Sequence, residues 1–224
     1  MLDELAVKAE LLQANREGRA FVFPAGRLLA ATFAGTLLDG ARIENVKLAA
    51  SDFRFASVVA AELTSVDLSS CRAQEAGLTK TVFRQVDLSR GFFSRAVMNQ
   101  TRFEQSRLVR SFFDGACARQ LSLHSCDATQ SCWDIAELVG SHWQRVQASA
   151  SSFEGSDLRQ AWLEECNLAE ADFALADLRG AKFRDCDLRG ATFHGAMFME
   201  TVFEGCQLEG AHLTVLDRQA CLFS

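Results

Sequence analysis

Bulky apolar residues recur at every fifth position along most of this chain. Stepping by five from Phe23 to Leu213 visits 39 positions without an insertion. Large apolar residues occupy 35 of them, and the other four are the alanines at 73, 118, 128 and 148. A period of five fits neither the 3.6-residue turn of an α-helix nor the two-residue alternation of a β-strand. The pattern therefore predicts a repetitive architecture whose structural unit is five residues long.

A short motif accompanies each bulky residue. A small or β-branched residue lies two positions earlier, and a polar residue, often Asp or Asn, lies between them, most clearly in Ala171-Asp172-Phe173, Ala176-Asp177-Leu178 and Cys186-Asp187-Leu188. In this motif the sequence resembles the pentapeptide-repeat family over about residues 21 to 223. The resemblance implies a right-handed, quadrilateral, all-β solenoid of parallel strands, with one pentapeptide per side and about ten coils of roughly twenty residues.

The columns of residues twenty positions apart support such a coil, because each column keeps one type of residue. One column is aromatic from Phe33 to Phe193 apart from Ala73, and the next is almost entirely leucine from Leu28 to Leu208. Phe-rich and aliphatic columns alternate, so like columns face each other and fill the interior without a ligand channel. Ten coils spaced by about 4.8 Å make a rod about 48 Å long. Where Trp133 and Trp143 enlarge the core, neighbouring corners shrink to Ala128 and Ala148.

Both ends of the chain depart from the period of five. Residues 1–19 are predicted to form a capping helix over the open strand edges of the first coil, before a solenoid at 20–224. Gly18 is its expected C-cap, and its apolar stripe is expected from residues at helical spacing: Leu2, Leu5, Ala9 and Leu12. After Leu213 the pattern is expected to fail. The apolar tail then either covers the last coil or, as the resemblance implies, joins a second copy end to end, through Leu216, Leu222 and Phe223.

Composition places the chain among folded, cytoplasmic proteins. Of its 224 residues 49% are apolar and 23% charged, and the formal net charge is -6. It shows neither a cationic leader nor a run of about 18 apolar residues, so no membrane association is expected. The eight cysteines are expected to be reduced thiols.

The cysteines and histidines of the sequence do not form a recognisable catalytic arrangement. Four cysteines fall in one inward column, where Cys is a soft interior filler, and the four histidines fall on outward positions at different heights. The sequence has no Gly-rich phosphate loop, HExxH or GxSxG motif. Because enzymes need groups that converge in a concave site, we expect a non-enzymatic protein without metal or cofactor. The four cysteines are Cys126, Cys166, Cys186 and Cys206.

Charge is distributed unevenly along the rod. Residues 84–119 contain seven arginines against three acids, whereas residues 150–217 contain thirteen acids against five bases. The acids either solvate the rod or imitate the phosphates of DNA. In the second interpretation the resemblance implies binding to a type II topoisomerase, DNA gyrase, as Qnr and mycobacterial fluoroquinolone-resistance proteins do, with no direct contact to nucleic acid. The residues of this predicted acidic face are Asp157, Asp172, Asp177 and Asp187.

Two adjacent aromatic pairs predict a partner surface. Phe92 and Phe112 each precede an inward phenylalanine and lie twenty residues apart, so they should stack on one side of the rod. They either fold over the coil edge or pack under the C-terminal tail, or else they form an interface anchor with Val97, bordered by arginines. These arginines are Arg90, Arg95 and Arg110.

The sequence therefore favours a non-enzymatic rod that binds a protein partner. The alternatives are an antibiotic-resistance factor that protects gyrase as a DNA mimic, and a scaffold or accessory protein of a bacterial secretion or effector system. The second alternative comes from the settings in which the family occurs.

Overall fold

The computed structural model describes residues 1–213 and 221–223 and shows a parallel β-solenoid that follows one helix. Helix α1 spans Glu4–Glu17. Two short strands, β2 at Gly26–Arg27 and β4 at Val46–Lys47, pair with each other. The other strands described form one sheet along one side of the rod, in the order β1 Val22–Phe23, β3 Arg42–Glu44, β5 Glu62–Thr64, β6 Val82–Arg84, β7 Arg102–Glu104, β8 Ser122–His124, β9 His142–Gln144, β10 Trp162–Glu164, β11 Lys182–Arg184, β12 Thr201–Glu204 and β13 Cys221–Phe223.

Every pairing joins residues twenty positions apart. In the large sheet Val22 pairs with Arg42, and the other sides are held by single bridges at the same interval, such as Thr32 with Asp52 and Leu37 with Ser57. The predicted coil of four pentapeptides is therefore confirmed. We call the side with the large sheet the strand face, and the side whose outward residues run from Thr32 to His212 the aromatic face.

A tight turn separates consecutive sides. At most corners the carbonyl of the bulky residue accepts a hydrogen bond from the amide three residues later, as from Ala56 N to Phe53 O at 3.0 Å. The residue two positions after the bulky one has a positive φ, for example 59° at Ala50 and 50° at Ile135. This is the left-handed region that a type II β-turn requires at its third residue. The last position of each pentapeptide therefore turns the chain, and its side chain does not enter the core.

The aromatic columns pack as stacks along the axis. Phe173 lies 5.2 Å from Phe193 with nearly parallel rings, and it meets Phe183 of the facing column edge to face at 5.8 Å. Trp133 is fully buried and donates to Ser131 Oγ at 2.8 Å, which satisfies its indole N–H. The alanines that flank the two buried tryptophans are also fully buried, as predicted. Beside Ala73 the aromatic column is interrupted, and a void of about 20 Å³ remains in an otherwise filled core.

Helix α1 covers the first coil, which confirms the predicted cap. Gly18 adopts φ 65° and ends the helix as expected. The buried stripe, however, consists of Val7, Leu11 and Ala14, whereas Leu5 and Leu12 are 77% and 58% exposed.

The expected stripe of Leu2, Leu5, Ala9 and Leu12 is therefore wrong. Leu5, Ala9 and Leu12 share one face of the helix, but that face is exposed, and the opposite face packs on the first coil. Leu2 precedes the helix and lies against Gly26. Three hydrogen bonds hold the N-terminal segment on the coil: Leu2 N donates to Arg27 O at 2.9 Å, Thr32 N to Glu4 Oε1 at 3.2 Å, and Asn15 Nδ2 to Leu37 O at 3.0 Å. Within the described residues, no helix has the length and apolar character needed to cross a membrane.

The C-terminal strand continues the solenoid. Thr201 pairs with Cys221 at the usual interval, so the repeat does not end at Leu213 as the sequence suggested. Leu222 occupies an outward position of the strand face, where it is 62% exposed, and it does not cover the last coil. Leu216 and the side chain of Phe223 lie outside the described residues. The end-to-end homodimer remains a prediction.

Candidate functional site: an aromatic and arginine patch

Two phenylalanine rings lie side by side on the aromatic face. The bulky corner residues Phe93 and Phe113 are buried, so the backbone alternation turns Phe92 and Phe112 outward. Phe92 is 39% exposed and Phe112 is 41% exposed. Their rings are parallel within 5°, with centroids 5.3 Å apart. The two rings therefore stack on the surface of the rod. Their role as a partner surface stays a prediction.

Further apolar groups extend this surface around the corner. Val97 and Cys117 pair on the next side of the rod, and Cys132 follows Phe112 on the aromatic face. Ile135, at the corner between the two sides, is 68% exposed. We call the surface made by these groups the aromatic patch: Phe92, Phe112, Val97, Cys117, Cys132 and Ile135.

Sequence reasoning missed the contribution of Ile135, although a signal was present. Ile135 occupies a last position of the pentapeptide, which must adopt a positive φ and point away from the core. A β-branched residue is unfavourable in that conformation. Ile135 is 68% exposed in this strained turn, so burial in the core does not account for it.

Exposed arginines border the patch. Arg90 and Arg110 lie one coil apart at the corner before the aromatic face, and Arg95 lies at the corner after it. Arg110 Nε donates to Gln130 Oε1 at 2.7 Å. None of these three arginines forms an ion pair with another residue in the described part of the chain. The patch therefore combines stacked rings with positive charge that the rod itself does not neutralise.

The two thiols of the patch are poor nucleophiles. Burial raises the pKa of the Cys132 thiol to about 11. Burial, followed by a hydrogen bond to Glu137 Oε2 at 3.4 Å, also raises the pKa of Cys117. Since the thiolate is the reactive form, neither group is suited to covalent catalysis at neutral pH.

The carboxylates of the predicted acidic face are held by the rod. Asp157, Asp177 and Asp187 each accept bidentate hydrogen bonds from the arginine two residues later, with closest distances of 2.7, 2.6 and 2.6 Å. The hydrogen bond from that arginine holds the pKa of each carboxyl below its ordinary value. Asp172 instead accepts hydrogen bonds from Ala174 N and Thr192 Oγ1. A ladder of free carboxylates, the basis of the DNA-mimic interpretation, is therefore not formed by these four residues.

The cysteine column lies inward, as predicted, and its thiols donate to backbone carbonyls one coil away. Cys126 Sγ, for example, lies 3.3 Å from Phe103 O. Among residues 1–213 and 221–223, no group of three or more His, Cys, Asp or Glu side chains could hold a metal ion. His194 and His212 are exposed as expected, but His124 and His142 are half-buried.

Two sequence-family models match the chain. The model described as "Pentapeptide repeat region" matches residues 136–213, and the model described as "Pentapeptide repeats (8 copies)" matches residues 61–100. Together they cover more than half of the chain. The chain belongs to the pentapeptide-repeat family. No curated protein matches it.

Solved structures share the fold. HetL, a pentapeptide repeat protein involved in heterocyst differentiation regulation from the cyanobacterium Nostoc sp. strain PCC 7120, is 21% identical, with a TM-score of 0.63 over 91% of each chain. A trypsin-treated form of QnrB1, a plasmid-mediated fluoroquinolone resistance protein, is 20% identical, with a TM-score of 0.45 over 87% of this chain and 94% of its own. At these identities the similarity to HetL establishes the fold alone.

Proposed function

We propose that this protein is a non-enzymatic rod that binds a protein partner through the aromatic patch. The observation that carries the proposal is the exposed, parallel stack of Phe92 and Phe112 beside arginines that have no ion pair among the described residues. Exposed aromatic side chains together with Arg are typical anchors of protein interfaces.

The fold prepares this surface for binding. The backbone amides of Phe92 and Phe112 donate to carbonyls of the preceding coil, and their own carbonyls accept from amides of that same coil, so each ring stands on a fixed frame. Each ring also restricts its neighbour by stacking at 5.3 Å. A surface already ordered before binding loses little conformational entropy on association.

Charge complementarity indicates the chemistry of the partner. Arg90 and Arg110 repel each other one coil apart, and Arg95 lies on the opposite border of the rings. An acidic partner segment would relieve this repulsion, while its apolar side chains cover Phe92 and Phe112. We therefore propose an acidic segment with apolar or aromatic anchors as the ligand.

A defined peptide tests this proposal. A fluorescent peptide in which Asp and Glu alternate with Leu and Phe is titrated with the full-length protein, and binding is followed by anisotropy. The double variant Phe92→Ser/Phe112→Ser should weaken binding by at least about ten-fold. The matched control Leu175→Ser/Met197→Ser, which removes exposed apolar groups elsewhere on the rod, should bind like the original protein.

The same variants apply to a natural partner. After affinity capture, the identified partner is purified and its binding to the original and variant rods is measured. Binding should also weaken as salt rises, because exposed arginines take part. Equal binding by both double variants, or a peptide with Lys in place of Asp and Glu that binds as well, contradicts the proposal.

The DNA-mimic alternative has weaker support. Three carboxylates on which it depended are engaged by Arg159, Arg179 and Arg189, which places positive charge next to each of them. We therefore expect no protection in a gyrase supercoiling assay with a fluoroquinolone at micromolar rod concentrations. Protection that survives Phe92→Ser/Phe112→Ser would favour the alternative over the patch. An accessory role in bacterial secretion and a cytoplasmic location remain compatible with the proposed rod, in which the cysteines at 71, 117, 126, 132, 166, 186 and 206 are free thiols.

A further inference from the structure

A slot opens on the strand face, away from the aromatic patch. Its outward column runs Arg102, Ser122, His142 and Trp162, each one coil from the next. Ser122 is the small member of this column, so the level between Arg102 and His142 holds only a hydroxymethyl group. These residues line a surface depression whose floor is formed by Leu121 and Ser122.

The column below the slot is an aromatic stack. The imidazole of His142 lies parallel to the indole of Trp162, with ring centroids 5.0 Å apart and 25° between their planes. A ring at the level of Ser122 would continue this stack, because adjacent coils are spaced by about 4.8 Å. Arg102 lies one coil further on, where a guanidinium can lie over a ring or pair with its substituent.

Two side-chain nitrogen atoms at the slot, in His142 and Gln120, have no hydrogen-bond partner among the described residues. His142 lines the depression, and its Nε2 is buried without a hydrogen-bond partner among the described residues. A buried polar atom without a partner is unusual in a folded protein. On one side wall, Gln120 Oε1 accepts from Gln100 Nε2 at 3.0 Å, and Gly140 interrupts this row of glutamines at the next coil. Gln120 Nε2 therefore has no described partner.

The charge balance of the slot is positive. On the other side wall, Glu104 is paired with Arg84 at 3.0 Å. His124 Nδ1 lies 3.0 Å from Gln144 Oε1. Arg102 has neither an ion pair nor a side-chain hydrogen bond with any residue in the described ranges. The free charge facing a ligand is that of its guanidinium.

We propose that this slot binds a small planar aromatic carboxylate. The ring occupies the level of Ser122 and stacks on His142, and the carboxylate pairs with Arg102. Gln120 Nε2 supplies a further donor at the edge. The site is on a different side of the rod from the aromatic patch, so either proposal can fail without the other.

Three probes of similar size test the ligand chemistry. Binding of 2-naphthoate, decahydro-2-naphthoate and 2-naphthalenemethanol is measured by saturation-transfer difference NMR and titration against the full-length protein. The planar anion should bind saturably. The saturated acid, which keeps the charge but loses the planar ring, should bind at least about ten-fold more weakly, and the neutral planar alcohol should also bind more weakly.

Variants locate the site. Ser122→Phe fills the empty level with the protein's own ring and should reduce 2-naphthoate binding at least about ten-fold. Val202→Phe, an equivalent outward position four coils away on the same face, is the matched control and should bind normally. Arg102→Gln should weaken binding of 2-naphthoate but not of 2-naphthalenemethanol. Circular dichroism and thermal midpoints confirm that each variant folds.

Three results would overturn the proposal. They are the absence of saturable 2-naphthoate binding up to millimolar concentration, equal binding of the saturated acid, and unchanged binding by a folded Ser122→Phe variant. The last result would place any observed binding elsewhere on the rod.

Discussion

The arginine-rich middle of the rod and its acidic C-terminal half differ in the sign of their net charge and also in how their charged side chains are paired. In the C-terminal half, Asp157, Asp177 and Asp187 lie on outward side positions, and each forms an ion pair with the arginine two residues later. In the middle, Arg90 and Arg110 lie at corner positions, with no ion pair in the described part of the rod. These three carboxylates are therefore neutralised by the rod itself, whereas Arg90 and Arg110 remain available to a partner.

This difference has a geometric origin. A side-position carboxylate also accepts a hydrogen bond from the amide two residues later, as Asp157 Oδ1 does from Arg159 N at 3.2 Å. The same bend brings the arginine side chain back to the carboxylate. A corner residue can have corner residues of the adjacent coils as neighbours, as Arg90 has Arg110 one coil away. Like charges there, such as Arg90 and Arg110, remain uncompensated.

The largest expected effect comes from truncating one buried phenylalanine in each region. It tests whether the cores of the two regions are equally well packed. Phe103 in the middle and Phe183 in the C-terminal half are both fully buried, and each stacks on a neighbour in its column. Replacing either by Ala should lower the free energy of unfolding by about 3–5 kcal/mol. Urea denaturation followed by circular dichroism measures both. A loss in only one variant would show that the regions differ in packing as well as in surface charge.

A smaller effect concerns strained turns at the two surfaces. Ile135 at the aromatic patch and Leu175 in the acidic half both have positive φ and are exposed. Because Asn tolerates this conformation better, Ile135→Asn should raise the free energy of unfolding by about 1 kcal/mol. It should also weaken binding of the acidic peptide, whereas Leu175→Asn should leave binding unchanged. If Ile135→Asn destabilises the rod, Ile135 serves packing and its assignment to the patch is wrong.

The smallest effect comes from the ion pairs. The pKa of Asp157, Asp177 and Asp187 is lowered in the folded protein, mainly by hydrogen bonds from their arginines. Their stabilisation is therefore present above the unfolded pKa of about 3.9 and is lost as pH falls through the lower folded values. In a triple Asp→Asn variant at these positions, unfolding stability should fall less steeply below about pH 4 than in the original protein.

The matched control for this titration is Arg90→Gln/Arg95→Gln/Arg110→Gln. Its stability should run parallel to that of the original protein between about pH 3 and 7, because arginine stays charged throughout this range and these residues have no ion pair in the described ranges. A shallower acid loss in this control than in the original protein would show that the middle arginines also hold carboxylates.

Most of the fold could be predicted because one residue class repeats without interruption. The bulky residue of each pentapeptide fixes the inward direction, so the burial of Phe53 and Leu68, at 7% and 5% exposure, followed from spacing alone. Helix α1 was located correctly, but its buried stripe was not. Short helices offer several apolar spacings, and contact with the first coil selected Val7, Leu11 and Ala14.

The surface was only partly predictable. Exposure of Phe92 and Phe112 followed from the alternation, whereas the pairing of the acidic face was missed, although the Asp-Leu-Arg spacing at 157, 177 and 187 was visible in the sequence. The slot at Ser122 depends on what lies one coil above and below it. A column can be listed from sequence, but the stacking of His142 on Trp162 is a side-chain arrangement that spacing does not determine.

The constant pairing interval has a consequence for the relative placement of surfaces. Removing or duplicating a stretch of twenty residues would shift everything beyond it along the axis by one step without rotating it, whereas a change of five would turn it by a quarter of the circumference. The number of coils therefore sets the axial distance between two surfaces, and the position within a coil sets the direction that each surface faces. Insertion or deletion of whole coils would change the distance between two docking surfaces in steps of one coil, and each surface would keep its direction.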